Sequence, residues 1–218
     1  DIHIENIKIF DTRISAIAIE SVDGAIIDGI NIKNVDMENV NAPLFIHLGK
    51  RMRAPQGREI GEIKNIILEN ITSTGPYKPY DIIPWNYKSF KNNDTRQYPW
   101  YFGGTSGITD IKEENTGEFV WQFTSNVCGL KNKPLKNIKL KDIYLKVDGG
   151  VREYSRTVPE EPLQAYPEVY VYGKTLPAKG IYFRYADGLT LENVKIETYR
   201  QDIRDGIVCD GVNDLHIV

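Results

Sequence analysis

Glu20, His47 and the cations Lys50, Arg51 and Arg53 are the residues of this 218-residue sequence whose types and spacing best suit chemistry. A carboxyl group, an imidazole and a small basic cluster offer the donors, acceptors and charge that a polyhydroxylated, even acidic, ligand requires. Phe45, two residues before His47, adds an apolar face. Trp85 and Trp100 add flat rings suited to the C–H faces of pyranoses. The competing reading of the same residues is a solvated polar face with an ordinary ion pair. Glycoside hydrolysis needs two carboxyl groups facing one bond, roughly 5 to 9.5 Å apart. Glu20 and Asp23 are the nearest approach to such a pair, but Ser21-Val22-Asp23-Gly24 reads as a corner, which makes Asp23 a turn residue. A Ser/His/Asp set, a phosphate loop and a metal-spaced histidine cluster are all missing from the sequence, so no metal or other cofactor is expected. His3 and His216 sit between aliphatics and read as structural surface residues.

The elements that must position these groups follow from composition and repetition. The chain has 28 Ile and 14 Val against 12 Leu and 8 Ala. Branched side chains fit a pleated surface and lose χ1 freedom in a helix, which predicts an all-β chain. A pattern of alternating aliphatics, then Asn or Asp, then aliphatics begins at Asp1, Gly29, Asn65, Asn137, Gly188 and Asp214, with steps of 28, 36, 72, 51 and 26 residues. Self-similarity at this period predicts a solenoid. The recurring Asn6, Asn34, Asn70, Asp142 and Asn193 tolerate the left-handed region and should turn the chain, stacking into an internal ladder of amides at one corner. Second strands are expected at 16–20, 43–48, 119–124, 180–185 and 206–209. With no helix between strands and little Leu, the expected fold is a parallel β-helix rather than a leucine-rich horseshoe. Alternation along the second strands turns Glu20, Phe45, His47, Tyr182 and Arg184 outward, with Glu20 and His47 on adjacent coils.

Insertions at 49–59, 74–117 and 148–179 interrupt a single domain spanning 1–218. The second is dense in aromatics, nine in the 26 residues from Tyr77 to Phe102 out of 23 in the chain. Such a loop reads as a small core pinned to the solenoid wall, with Trp85 and Trp100 as its candidates for sugar stacking. The third should cover a flank or an end. With 27 basic and 30 acidic residues, net −3, the chain is no nucleic-acid backbone binder. It holds no apolar run of membrane-spanning length, and Cys128 and Cys209 are too few for a disulfide scaffold.

The stretch Asp11–Gly24, the repeat Ile30–Met37 and the run Pro43-Leu44-Phe45-Ile46-His47-Leu48-Gly49-Lys50-Arg51 together resemble the later coils of glycoside hydrolase family 28, the polygalacturonase and rhamnogalacturonase family, in its bacterial branch. Val158-Pro159-Glu160-Glu161, Tyr166-Pro167-Glu168, the run Leu176–Arg184 and Asp202-Ile203-Arg204 resemble that branch's C-terminal coils. The resemblance implies a right-handed parallel β-helix that hydrolyses pectic polysaccharides without a metal, in a secreted or periplasmic protein. The family's catalytic Asn-x-Asp, Asp-Asp and Gly-His-Gly motifs are not in this sequence. The resemblance therefore implies the C-terminal half of such an enzyme, with the missing N-terminal half of the same solenoid as its partner and catalytic aspartates upstream. The family's Arg-Ile-Lys motif, which holds the galacturonate carboxylate, would fall on Ala18-Ile19-Glu20. A methyl and a carboxylate in place of two cations should repel an acidic sugar. Either Lys50, Arg51 or Arg53 takes over, or a neutral residue such as rhamnose fills the subsite.

The expected function is thus the groove wall and cap of a pectin-degrading glycosidase. A β-helical polysaccharide lyase and a non-catalytic carbohydrate-binding or adhesin β-helix are the alternatives.

Overall fold

Asparagine and aspartate at positive φ divide this chain into short straight limbs. Asn6, Asn34, Asn70, Asp142 and Asn193 have φ of 59, 56, 52, 53 and 50°, the left-handed conformation that their short polar side chains tolerate. The computed structural model describes residues 1–53, 57–77, 122–160, 168–172 and 175–218, except for the side chain of Arg13. Among the described residues nine strands occur, β1 (Ile2–Ser21), β2 (Ile26–Leu48), β3 (Glu62–Thr74), β4 (Ser125–Cys128), β5 (Leu135–Gly149), β6 (Ala178–Arg184), β7 (Ala186–Arg200), β8 (Asp205–Asp210) and β9 (Asn213–Ile217). No helix occurs among the described residues, and every pairing between these strands is parallel.

The strands stack as six passes. β1 pairs along its length with β2; the first part of β2 continues through β3, β5, β7 and β9, and its last part through β4, β6 and β8. Each full pass therefore has a first limb, an Asn or Asp corner, a second limb, and a third limb that leads into the next pass. The register joins Ile2 to Ile30, Ile30 to Ile66, Ile66 to Ile138, Ile138 to Leu189 and Leu189 to Leu215, the same residue steps that the repeat shows in the sequence. Inward residues of all three limbs meet in one cluster, with Ile32 and Leu68 from first limbs, Val35 and Ile71 from second limbs and Ile46 and Phe183 from third limbs. The sheet is thus curled around its own core. Ile2 and Ile4 on the first pass and Ile217 on the last stay exposed although their columns are inward, because each end pass is covered on one side only.

Side-chain amides run along the corner as a ladder, but on its exposed outer side and not inside the coil as expected. Asn70 Nδ2 donates to Asn34 Oδ1 at 2.9 Å and Asn34 Nδ2 to Asn6 Oδ1 at 3.0 Å. On the later passes Asn193 Nδ2 donates to Asp142 Oδ1 at 2.7 Å. A carboxylate has no N–H to pass on, so Asp142 divides the ladder in two. Asp142→Asn should join the halves through a new bond to Asn70 Oδ1. We expect it to raise the unfolding free energy by about 0.5–1.5 kcal/mol in urea titrations; a lowered midpoint would refute the ladder's continuity.

Two further corners escape the repeat as first read. Asn65, Asn137 and Asp214 open their first limbs at φ 58, 53 and 50°, and Gly29 and Gly188 take the same place at 79 and 78°. Asp11 and Asn39 turn the chain between second and third limbs, with Asn39 Nδ2 donating to Asp11 Oδ1 at 2.7 Å. Outside the core, the first limbs carry a column of alternating charge, Glu5, Lys33, Glu69, Lys141 and Glu192. Lys33 and Lys141 reach Glu69 at 2.8 and 3.2 Å. Each pair is worth little in water, but like charges opposite one another would oppose this register.

One expected strand is displaced. The aromatic-rich 119–124 was expected to be the second strand of its unit, in the place the third limb takes, whereas that limb is β4, Ser125–Cys128. Residues 119–121 lie outside the described residues, and 122–124 are not strand. Ser125 occupies the inward column of Leu44 and Ile181, and its Oγ accepts the Leu44 N–H at 3.0 Å. An inward polar side chain satisfied by the backbone of the neighbouring pass breaks the apolar pattern, so hydrophobic alternation misplaced the strand.

Candidate functional site

Third-limb side chains that turn away from the core form two columns. One contains Ala18, Phe45, Asn126, Tyr182 and Val208; the other contains Glu20, His47, Cys128, Arg184 and Asp210. The outward orientation expected of Phe45, His47, Tyr182 and Arg184 holds, and Glu20 and His47 are paired in register. Their exposure does not. Phe45 and His47 are fully buried, because residues 168–172 of the third insertion lie over them. Phe45 packs with Ala42 and Val169. The His47 ring stacks on Phe45 with centroids 5.4 Å apart and meets Tyr172 edge-on at 5.7 Å. The Tyr172 hydroxyl lies 3.4 Å from His47 Nδ1, and Asn126 Nδ2 donates to Val169 O at 2.9 Å. Phe45 and His47 are therefore corrected from surface contacts to the floor of a small outer core.

Arg184 anchors the same cover further along. It donates to Pro159 O at 2.8 Å and Glu160 Oε1 at 3.1 Å, and its Nε lies 3.2 Å from Asp210 Oδ2. The Tyr182 hydroxyl donates to the same Asp210 oxygen at 2.8 Å. Burial, together with that bond, pushes the Tyr182 phenol well up. Cys128 stands beside His47 in the column, but complete burial drives its thiol far above the ordinary range. A Cys–His nucleophile needs an accessible thiolate, so this neighbouring pair does not supply one.

The second column is partly open at both of its ends, Glu20 and Asp210. Ala18, beside Glu20, is exposed and Glu20 half-buried. Burial, with the charge of Glu168 adding and that of Arg51 opposing, pushes the Glu20 carboxyl up to about 7. Burial also raises Glu168. Two carboxyl groups that resist joint ionisation can hold a proton, donating to one sugar oxygen and accepting from another. Glu168 stands in the sequence within Tyr166-Pro167-Glu168 with no spacing that links it to Glu20; only the fold places it where its charge acts on Glu20.

The basic cluster is partly committed elsewhere. Arg51 Nε donates to Asp23 Oδ1 at 3.1 Å, and its second nitrogen engages Asp23 Oδ2. The Arg53 N–H donates to Asp23 Oδ1 at 2.9 Å. The Arg51 hydrogen bond, ahead of burial that opposes it, holds the Asp23 carboxyl below its usual range. Asp23 is thus an ionised anchor for the chain after β2, as its place in a corner led one to expect, and no acid–base partner for Glu20. Lys50 is half-buried and Arg53 exposed. Trp85 and Trp100 lie outside the described residues. Among the described residues no group of three or more His, Cys, Asp or Glu side chains is arranged to hold a metal.

Fold and site together define an all-β scaffold of stacked parallel strands, with an outward column covered at His47, Cys128 and Arg184 and partly open at both ends, Glu20 and Asp210. In comparisons with models of known protein families, with curated proteins and with solved structures, the chain has no match.

Proposed function

We propose that this chain is a right-handed parallel β-helix and forms part of a pectin-degrading glycoside hydrolase of family 28. In this reading it contributes one wall of the substrate groove and the cap, and the catalytic aspartates stand on preceding passes of the same protein. The six registered passes and their amide corners support the β-helix. The half-buried carboxyl of Glu20 at one partly open end of the third-limb column carries the functional reading. A carboxyl group that keeps its proton up to about pH 7 suits hydroxyl groups and disfavours a second carboxylate. With Arg51 held by Asp23, the neutral-sugar form of the subsite is favoured over one in which the basic cluster replaces the missing cations. A secreted or periplasmic location belongs to the same proposal.

The test is release of reducing ends by the full-length protein from rhamnogalacturonan and from polygalacturonate. Preferential cleavage of rhamnogalacturonan is expected. Strong cleavage of polygalacturonate would overturn the neutral subsite. An unsaturated product absorbing in the ultraviolet would replace hydrolysis by a lyase reaction, and binding without turnover would leave a non-catalytic carbohydrate-binding β-helix.

A further inference from the structure

The first-limb corner carries a gap of one side chain. Asn137 Nδ2 donates to Asn65 Oδ1 at 2.9 Å. In the next pass the same position is Gly188, at φ 78°, and in the pass after that it is Asp214, at φ 50°. A Cβ at 188 would sit 3.0 Å from Asn137 Oδ1, so the amide oxygen faces the space that glycine leaves. A groove of about 300 Å³ opens there, at the lower end of the range for small-molecule sites.

Its lining is selective. Asn137 Oδ1 offers an acceptor on one side. Across the gap, Asp214 Oδ1 and His216 Nε2 lie 3.0 Å apart, giving an acceptor and a ring nitrogen whose role follows its tautomer. The Thr190 hydroxyl and Lys139 complete the polar wall, and Ile67, 37% exposed, supplies an apolar floor. Lys139 is itself held by Glu192 at 2.7 Å. One carboxylate and one already paired ammonium leave little net charge for an ionic ligand. Hard cations need several oxygen ligands, and an anion would meet Asp214. Neighbouring hydroxyl groups, each both donor and acceptor, match the wall, and a C–H ring face matches Ile67.

We propose that this groove is a binding subsite for one uncharged sugar ring, on first-limb strands rather than at the Glu20 end of the third limb. It assigns His216 a role beyond the structural one read from sequence. The proposal rests on the carbohydrate-binding part of the reading above and not on hydrolysis. The test titrates the full chain with a rhamnogalacturonan oligosaccharide, read by calorimetry and by the His216 ring resonances. Saturable binding that shifts those resonances is expected. Gly188→Asn, which fills the gap with a residue this corner already accepts at Asn65 and Asn137, should weaken it about tenfold or more while the thermal midpoint holds or rises. Asp214→Ala should weaken it to a similar degree, and decides the question alone if the first variant fails to fold. Binding that leaves His216 unshifted and is unaffected by these variants would overturn the groove and spare the carbohydrate reading. No binding of the oligosaccharide at all would overturn both.

Discussion

Arg204→Ala is expected to cost about 3–5 kcal/mol of unfolding free energy, the loss that follows when a buried ion pair loses one partner. Arg204 is buried and the side chain of Asp202 has no exposed surface. The guanidinium donates to both Asp202 oxygens, at 3.0 and 2.8 Å, and its remaining nitrogen reaches Thr124 Oγ1 at 3.2 Å and Leu176 O at 3.1 Å. One residue thus ties together the approaches to β4, β6 and β8. Asp202 also accepts the Val151 N–H at 3.2 Å. Removing the guanidinium strands a carboxylate in the interior. Burial alone would raise Asp202, but the bonds from Arg204 outweigh it and hold the carboxyl below its ordinary range. The sign of the pH dependence follows. A depressed carboxyl contributes stability above the unfolded value of about 3.9, and loses it as pH falls through the lower folded value. Urea titrations at pH 7 and below 4 check both parts. The variant's deficit should be large at pH 7 and shrink in acid. A deficit under about 1 kcal/mol at pH 7 would mean that the pair behaves as a solvated one.

Glu20→Gln should act in the opposite sense, stabilising the protein most at alkaline pH. Burial, and then the charge of Glu168, raise the Glu20 carboxyl from 4.5 to about 7, against the opposing pull of Arg51. Between those values the folded state binds more protons than the unfolded one, so stability falls as pH rises through the window. Below about 4.5 the group is neutral in both states and costs nothing. Glu168 is raised by its own burial and steepens the decline. The full shift would correspond to several kcal/mol; discounted for a group still partly in water, the gain from Glu20→Gln at pH 8 is about 1–2 kcal/mol. Thermal midpoints across pH 4 to 9 check it. The wild-type curve should fall toward neutrality and the variant's should flatten. Parallel curves would show that Glu20 ionises as an ordinary exposed carboxyl.

These two cases sit at different distances from the sequence. Asp202 and Arg204 are two positions apart, yet nothing in Asp-Ile-Arg announces that both side chains are buried. Burial comes from Thr124 and Leu176, which the chain brings back from elsewhere. Glu20 stands out by its place in a strand, but its raised pKa comes first from burial and then from the charge of Glu168, which lies inside the third insertion. The outward face of Phe45 and His47 followed from alternation, while their concealment required residues 168–172 to fold over them. Alternation specifies which side of a strand a residue occupies and carries no information on what covers that side.

The repeat itself determined more. Ile, Val and Leu at period 2 chose the inner face; Asn and Asp at fixed intervals chose the corners; and the steps from Ile2 through Leu215 chose the register, including the alternating column from Glu5 to Glu192. All of these are local or nearest-neighbour properties, because each pass touches only the passes beside it. What only the tertiary structure decided was everything made by non-repeating chain: the displacement of the third limb to Ser125–Cys128, the roof over His47, the joining of Glu20 to Glu168 and the commitment of Arg51 to Asp23. Those contacts bridge distant segments with no period to announce them. The gap at Gly188 lies between the two, since its place in the repeat is plain in the sequence. That it opens a groove beside Asp214 and His216 depends on the stacked corners around it.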